Sequence, residues 1–367
     1  MITASYNRKP IKFKTNYKIN KRFQLNSKKK LAKPPNLTNL TSLSISSTNQ
    51  NNNQNNNQNK TLKHVFLCPY KVTTCNSNTP RFKELANTNN IKIVNNLEKA
   101  DVIYSSRIKN LMTLIYKYPK KKFIVFTHEP FWDITRQKKI NRMGKNITII
   151  NCYTGKMYLN NYYYFPFKHS HLKLVNHLDQ EANTNYINKK KKVCILASYH
   201  GELINKTTEE LCSMRNKLGM FGNKLGITDI YGQGWPKGYS QENSRSGRWR
   251  MRKKDILKNY YFNICFENSY IKYYVTEKLW DSIRCYNLPI YKGSPWIYEI
   301  FPKNSFLDYN DYSSPKELYN AITQMSYQEW CKRLNICIKV FNKILRTQNE
   351  KTIKDATYNH FIKIIRN

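Results

Sequence analysis

The stretch that most constrains this chain runs from Tyr261 to Asp308, YFNICFENSYIKYYVTEKLWDSIRCYNLPIYKGSPWIYEIFPKNSFLD. An apolar run, Tyr261 to Phe266, leads into a polar turn at Glu267, Asn268 and Ser269. A helix opens at Thr276 and closes near Asn287, and a second apolar run, Leu288 to Tyr291, ends at Gly293 and Pro295. Strand, helix and strand in this space make a parallel crossover, since two parallel strands of one sheet need a connection of about a dozen residues or more. Ligands of such sheets lie beyond the carboxyl ends of the strands, where helix N-termini direct free N–H groups. Glu277 and Lys278 fall in the first turn of the predicted helix. A glutamate suits the helix dipole there and a lysine opposes it. The simplest use for Lys278 is to help those N–H groups hold an anion.

The rest of the chain repeats this unit. HVFLCPY from His64, KIVNNL, ADVIYSS and KKFIVFTHEP read as short strands, with helical stretches at Pro80 to Ala86 and Lys109 to Lys117 between them. Such alternation predicts a parallel sheet covered on both faces. The run at 123–126 delivers Thr127, His128 and Glu129 to the end of a strand before Pro130 breaks it, which is where a catalytic carboxylate is well placed. The polar segment His177 to Lys192, ending in KKKK, reads as a linker. A second half opens with VCILAS (193–198). Thr207 with Glu210 three residues on reads as a capping box for a helix that carries Arg215, and a strand then ends at Tyr231 and Gly232. Residues 314–325, 326–335 and Cys337 to Ile365 read as three closing helices. The expected division is therefore 1–60, 61–188 and 189–367.

Residues 1–60 hold twelve Lys or Arg and no Asp or Glu, and end in NQNNNQNNNQNK. One sign of charge with so little apolar surface predicts a disordered basic arm. The whole chain carries +40, but that charge is spread along it without a nucleic-acid motif, so nucleic acid is not the expected partner. Such a charge would still attract anionic substrates. No apolar run reaches the roughly eighteen residues of a membrane span and no signal core follows Met1. The nine cysteines form no C-x-x-C pair. A soluble cytoplasmic or virus-factory-like compartment with reduced thiols is the expectation. His169 and His171 form an H-x-H without a nearby third ligand, so no metal site is expected.

FNICFENS, YVTEKLWD, LPIYKGSP and PKNSFLD, in this order, resemble the signature of the α-1,3/4-fucosyltransferases, the tenth family of glycosyltransferases. The resemblance extends upstream, though not into the first sixty residues. It implies an α/β, GT-B-like architecture of two Rossmann-type doubly wound domains facing a cleft, and inverting transfer of L-fucose from GDP-β-L-fucose to a glycan hydroxyl without a metal or other cofactor. In that family's terms HEP makes Glu129 the base, Arg215 and Lys278 hold the donor diphosphate, and Glu277 binds ribose hydroxyls. Asn268 and Tyr274 sit against the nucleotide, and Glu267 closes the donor pocket. For Glu267 a structural alternative stands beside this role, a carboxylate that caps backbone N–H groups. The chain departs from the family at Thr154, which follows Tyr153 where the pattern has Tyr-Arg, and in lacking the N-terminal anchor of animal relatives. Two rival readings are a related enzyme using another donor such as GDP-mannose, and a non-catalytic polyanion- or RNA-binding protein. The block from Glu267 to Lys278 argues against the second, since a binding module needs no donor pocket.

Overall fold

The computed structural model describes residues 61–67, 80–105, 108–127, 146–151, 190–200, 210–243, 249–271, 274–347 and 350–367. Within Asn59–Asn367, which forms one compact unit, the described strands build two five-stranded sheets whose strand pairs are all parallel. The first contains β1 (Lys63–Leu67), β2 (Ile91–Val94), β3 (Val102–Ser105), β4 (Lys122–Thr127) and β5 (Ile147–Asn151), in the order 2-1-3-4-5. The second contains β6 (Lys190–Leu196), β7 (Thr228–Tyr231), β8 (Tyr260–Ile264), β9 (Leu288–Tyr291) and β10 (Leu307–Asp308), in the order 7-6-8-9-10. Counted within each sheet the two orders are the same. The α/β class and the doubly wound topology expected from the alternating pattern are therefore present in both halves.

The strands read as continuous apolar runs because both faces of a parallel sheet are covered. All four residues of β9 are buried, as are four of the five in β8. In the first sheet the connecting helices are α1 (Pro80–Thr88) and α2 (Ile108–Lys117). In the second they are α3 (Cys212–Lys224), α4 (Trp249–Leu257) and α5 (Glu277–Arg284). Trp280 of α5 is wholly buried, with its ring 5.4 Å from Phe301 and 6.2 Å from Phe341. Among the described residues no helix is long and apolar enough to cross a membrane.

Two local readings are corrected, and a third, the capping box at Thr207, lies outside the described residues. Glu210 forms an isolated antiparallel bridge with Ser269, and the described helix starts after Leu211, with both Glu210 carboxylate oxygens 3.1 Å from the Ser213 nitrogen. Lys190 to Lys192, placed in the linker, belong to β6. The break expected near Ile336 is absent, because α7 runs unbroken from Tyr327 to Thr347 after α6 (Pro315–Gln324). Trp330, Leu334, Cys337, Ile338, Phe341 and Ile344 make one buried seam at helical spacing along α7, and no Gly or Pro interrupts it.

The last helix, α8 (Glu350–Arg366), returns to the first sheet. Phe361 lies 4.8 Å from Tyr104 and 5.6 Å from Phe82, ring to ring. Arg81 grips Asp355 through two bonds of 3.0 and 2.8 Å, and Lys122 donates to the Ile364 carbonyl at 2.9 Å. Ile271 and Tyr274, from the loop after β8, join this same apolar cluster.

Candidate functional site

In a 2-1-3-4-5 sheet the chain leaves the first and third strands in opposite directions, and the crevice beyond their carboxyl ends is where ligands bind. In the second sheet those strands are β6 and β8. Beyond β8 come Cys265 to Thr276 and then α5; beyond β6 come residues 197–211 and then α3. Two backbone contacts stitch these segments together. Glu210 bridges Ser269, and Leu211 N–H donates to the Asn268 carbonyl at 3.1 Å.

That stitching brings Arg215, in the first turn of α3, against the loop after β8. Its guanidinium is 2% exposed and donates through Nη1 to Asn268 Oδ1 at 3.1 Å. Among the described residues Nε of Arg215 has no acceptor and this arginine makes no ion pair. A buried guanidinium without a carboxylate keeps its electrostatic capacity for an anion.

Glu267 is 0% exposed and acts as a strut. Its carboxylate accepts the Thr276 backbone N–H at 2.7 Å and the Thr276 hydroxyl at 2.6 Å, and pairs with Lys278 Nζ at 3.2 Å. This is the geometry of the structural alternative, a carboxylate that satisfies backbone and side-chain donors. Its own N–H donates to the Lys292 carbonyl at 3.0 Å, and a Cβ on Gly293 would come within 2.8 Å of its side chain, so the end of β9 holds it from behind. Burial pushes the Glu267 carboxyl up, against the pull of Lys278 and the Thr276 bonds.

Thr276 occupies the N-cap of α5 with an extended backbone, yet its side chain makes no capping bond to the helix. The hydroxyl donates to Glu267 and accepts from Lys278 Nζ at 2.8 Å. The first turn of α5 therefore keeps N–H groups uncapped by a side chain, beside an ammonium whose side chain is 22% exposed. Burial lowers Lys278, but Glu267 and Glu277 outweigh it and hold the group above its ordinary value. Lys278 is thus a fixed positive charge at neutral pH.

The structure gathers Arg215, Asn268, Glu267 and Lys278 at one place, with Glu277 half-buried at the first position of α5. Tyr274 is 4% exposed and packs in the cluster that contains Val65, Tyr104 and Phe361. Glu129 and the loop residues 244–248 lie outside the described residues. Sequence reasoning missed Lys253 of α4, whose ammonium bonds Asp281 on α5. Within the run RMRKK nothing separates Lys253 from its neighbours; the available signal was Asp281, four residues after Glu277 and so on the same helical face.

Chemically the site is built to hold an anion: one guanidinium, one ammonium and a helix N-terminus. Two of its described carboxylates, Glu267 and Glu210, are otherwise engaged. Glu267 is fully buried, and Glu210 accepts the Ser213 N–H. An α/β protein with two doubly wound sheets thus carries a cationic cluster at the switch point of the second, where sheets of this topology take their ligands. Residues 187–336 match the family model described as glycosyltransferase family 10 (fucosyltransferase) C-term, so this segment of the chain, which holds every described residue of the site, carries the family's C-terminal signature.

Among curated proteins, the alpha-(1,3)-fucosyltransferase FucT of Helicobacter pylori is 39% identical over 70 residues, 19% of this chain and 15% of that one. GDP-fucose protein O-fucosyltransferase 3 of Rattus norvegicus is 35% identical over 75 residues, 20% of this chain and 16% of its own. The chain thus spans only about a sixth of the length of these relatives. Among solved structures, a crystal structure of alpha1,3-fucosyltransferase aligns with TM-score 0.44 and 17% identity, covering 80% of this chain and 92% of that one.

Proposed function

We propose that this chain is an inverting glycosyltransferase that moves L-fucose from GDP-β-L-fucose to a hydroxyl of a glycoconjugate acceptor, in the manner of the α-1,3-fucosyltransferases. The observation that carries this reading is the seating of Arg215 on Asn268 and of Lys278 on Glu267, adjacent residues of one loop, inside the segment that matches the family model. The acceptor oxygen attacks the anomeric carbon, the bond from that carbon to the diphosphate oxygen breaks, and GDP departs with the electron pair. The hydroxyl proton passes to a carboxylate, for which Glu129 is the candidate. Negative charge gathering on the diphosphate is met by Arg215, Lys278 and the α5 N–H groups. With that charge answered by fixed protein groups, a divalent metal is not required.

Glu277 receives the ribose hydroxyls and Asn268 lies beside the nucleotide while anchoring Arg215. Glu267 supports the donor pocket through Thr276 and Lys278. Tyr274, buried between the loop after β8 and the first sheet, contributes to the pocket by fixing that loop. The two sheets face a cleft across which the acceptor-side half supplies the base. Free, buried thiols such as Cys194 and Cys265 suit a reducing compartment.

The test is release of GDP from GDP-fucose, run beside GDP-mannose and UDP-galactose, with N-acetyllactosamine among the acceptors, with and without EDTA. Fucose-specific turnover that survives EDTA is expected. Turnover with another donor corrects the sugar, and dependence on a divalent ion removes the metal-free account. If GDP does not bind at all, the donor site is misread.

A further inference from the structure

Lys253 is a buried cation with no part in the mechanism above. Its side chain is 13% exposed, and its ammonium bonds Asp281 Oδ2, on a carboxylate that is itself 10% exposed. Arg284 Nη1 lies 3.7 Å from the other oxygen of the same carboxylate, and that side chain is 6% exposed. Two buried cations thus share Asp281, which leaves one positive charge to be answered nearby, since an uncompensated buried charge is strongly destabilising. Glu277 and Asp281 are four residues apart on α5, so their side chains stand on one face of the helix, the face that Lys253 meets at Asp281. The charges agree: burial lowers Lys253, but Asp281 and Glu277 together hold it above its ordinary value.

We propose that Lys253 is a positioning residue of the donor site, which holds α5 so that Glu277 is aligned to accept hydrogen bonds from the ribose hydroxyls of a guanosine diphosphate. The inference rests on the reading of this site as one for a GDP-sugar. Lys253 touches no ligand in this account and acts through α5. It also ties α4 to the helix that carries Glu277 and Lys278.

The experiment compares GDP with 2′,3′-dideoxy-GDP by calorimetry on the full chain. Lys253→Met is expected to weaken GDP about tenfold, the size of one charge-assisted hydrogen bond, and to leave dideoxy-GDP unchanged. In a Glu277→Gln background Lys253→Met should add nothing, and Lys253→Arg should keep most of the affinity. Should Lys253→Met fail to fold, Lys253→Gln, which keeps a hydrogen-bond donor for Asp281 and leaves that carboxylate to Arg284, is expected to give the same contrast between the nucleotides. Equal losses for the two nucleotides, or additive losses with Glu277→Gln, overturn the proposal, because a merely structural pair would give that result. Equal binding of both nucleotides by the unsubstituted protein overturns it too. Failure of the unsubstituted protein to bind GDP is a different result, and sinks the donor reading itself.

Discussion

Lys278 stands where a helix dipole disfavours a cation, and the structure shows what holds it there. Glu267 lies behind it at 3.2 Å, with the Thr276 hydroxyl between them at 2.8 Å from its ammonium. Lys278→Ala should weaken GDP binding by about 2 kcal/mol, the loss of one charge-assisted contact, and unchanged affinity by calorimetry would remove the residue from the diphosphate clamp. Glu129→Gln tests the other end of the reaction. It should abolish transfer and spare GDP binding, whereas strong residual turnover would leave the base to be found elsewhere. Cys212 shows two effects in competition. At the first position of α3 a thiolate is favoured by the helix N-terminus, and Arg215 pulls the same way, yet burial wins and pushes the thiol up to about 11. Because the folded value lies above the ordinary thiol range, folding favours the neutral form, and this group costs stability as pH rises from the ordinary value, about 8.5, toward the folded one. Native protein at pH 8 should therefore leave Cys212 unmodified by iodoacetamide, as peptide mapping before and after urea would show.

At the scale of elements, α5 joins packing to chemistry. One face carries Glu277, Lys278 and Asp281, and the other drives Trp280 and Leu279 into the core beneath the site. Trp280→Ala opens a cavity under Phe301 and Phe341 and should cost about 3–5 kcal/mol, measurable as a shift in urea midpoint, with GDP binding weakened as α5 loses its seat. Retention of full stability would mean the helix is held by its polar face alone. The loop after β8 has a comparable double role. It places Asn268 against Arg215 and sends Ile271 and Tyr274 into the apolar cluster of the first sheet. The pattern FENS…VTEK marks this loop in sequence, but only packing shows that Tyr274 is a core residue, since a buried and a ligand-facing tyrosine look alike along the chain.

For the whole molecule the crossing helix α8 is decisive. It follows every described strand of the second sheet, yet packs on the first half: Phe361 meets Tyr104 of β3, while Tyr358 meets Phe82 and Asp355 clasps Arg81, both on α1. Deleting residues 350–367 should raise amide hydrogen exchange across 63–67 and 102–105 while 260–264 and 288–291 stay protected; uniform loss of protection would mean the two sheets unfold as one unit. Sequence by itself determined the strands and helices and the α/β class, because period, apolar runs and Gly or Pro punctuation are local signals. It also placed Arg215, Glu267, Asn268, Glu277 and Lys278 in one reading, through the order of their motif blocks. The tertiary structure decided what depends on contacts between distant residues: the pairing of Glu210 with Ser269 ahead of α3; the burial of Glu267 as a strut; the Lys253–Asp281 pair; and the return of α8. Each follows from which surfaces meet, and a buried charge or a bridged strand acquires its meaning only from a partner that the local sequence does not contain.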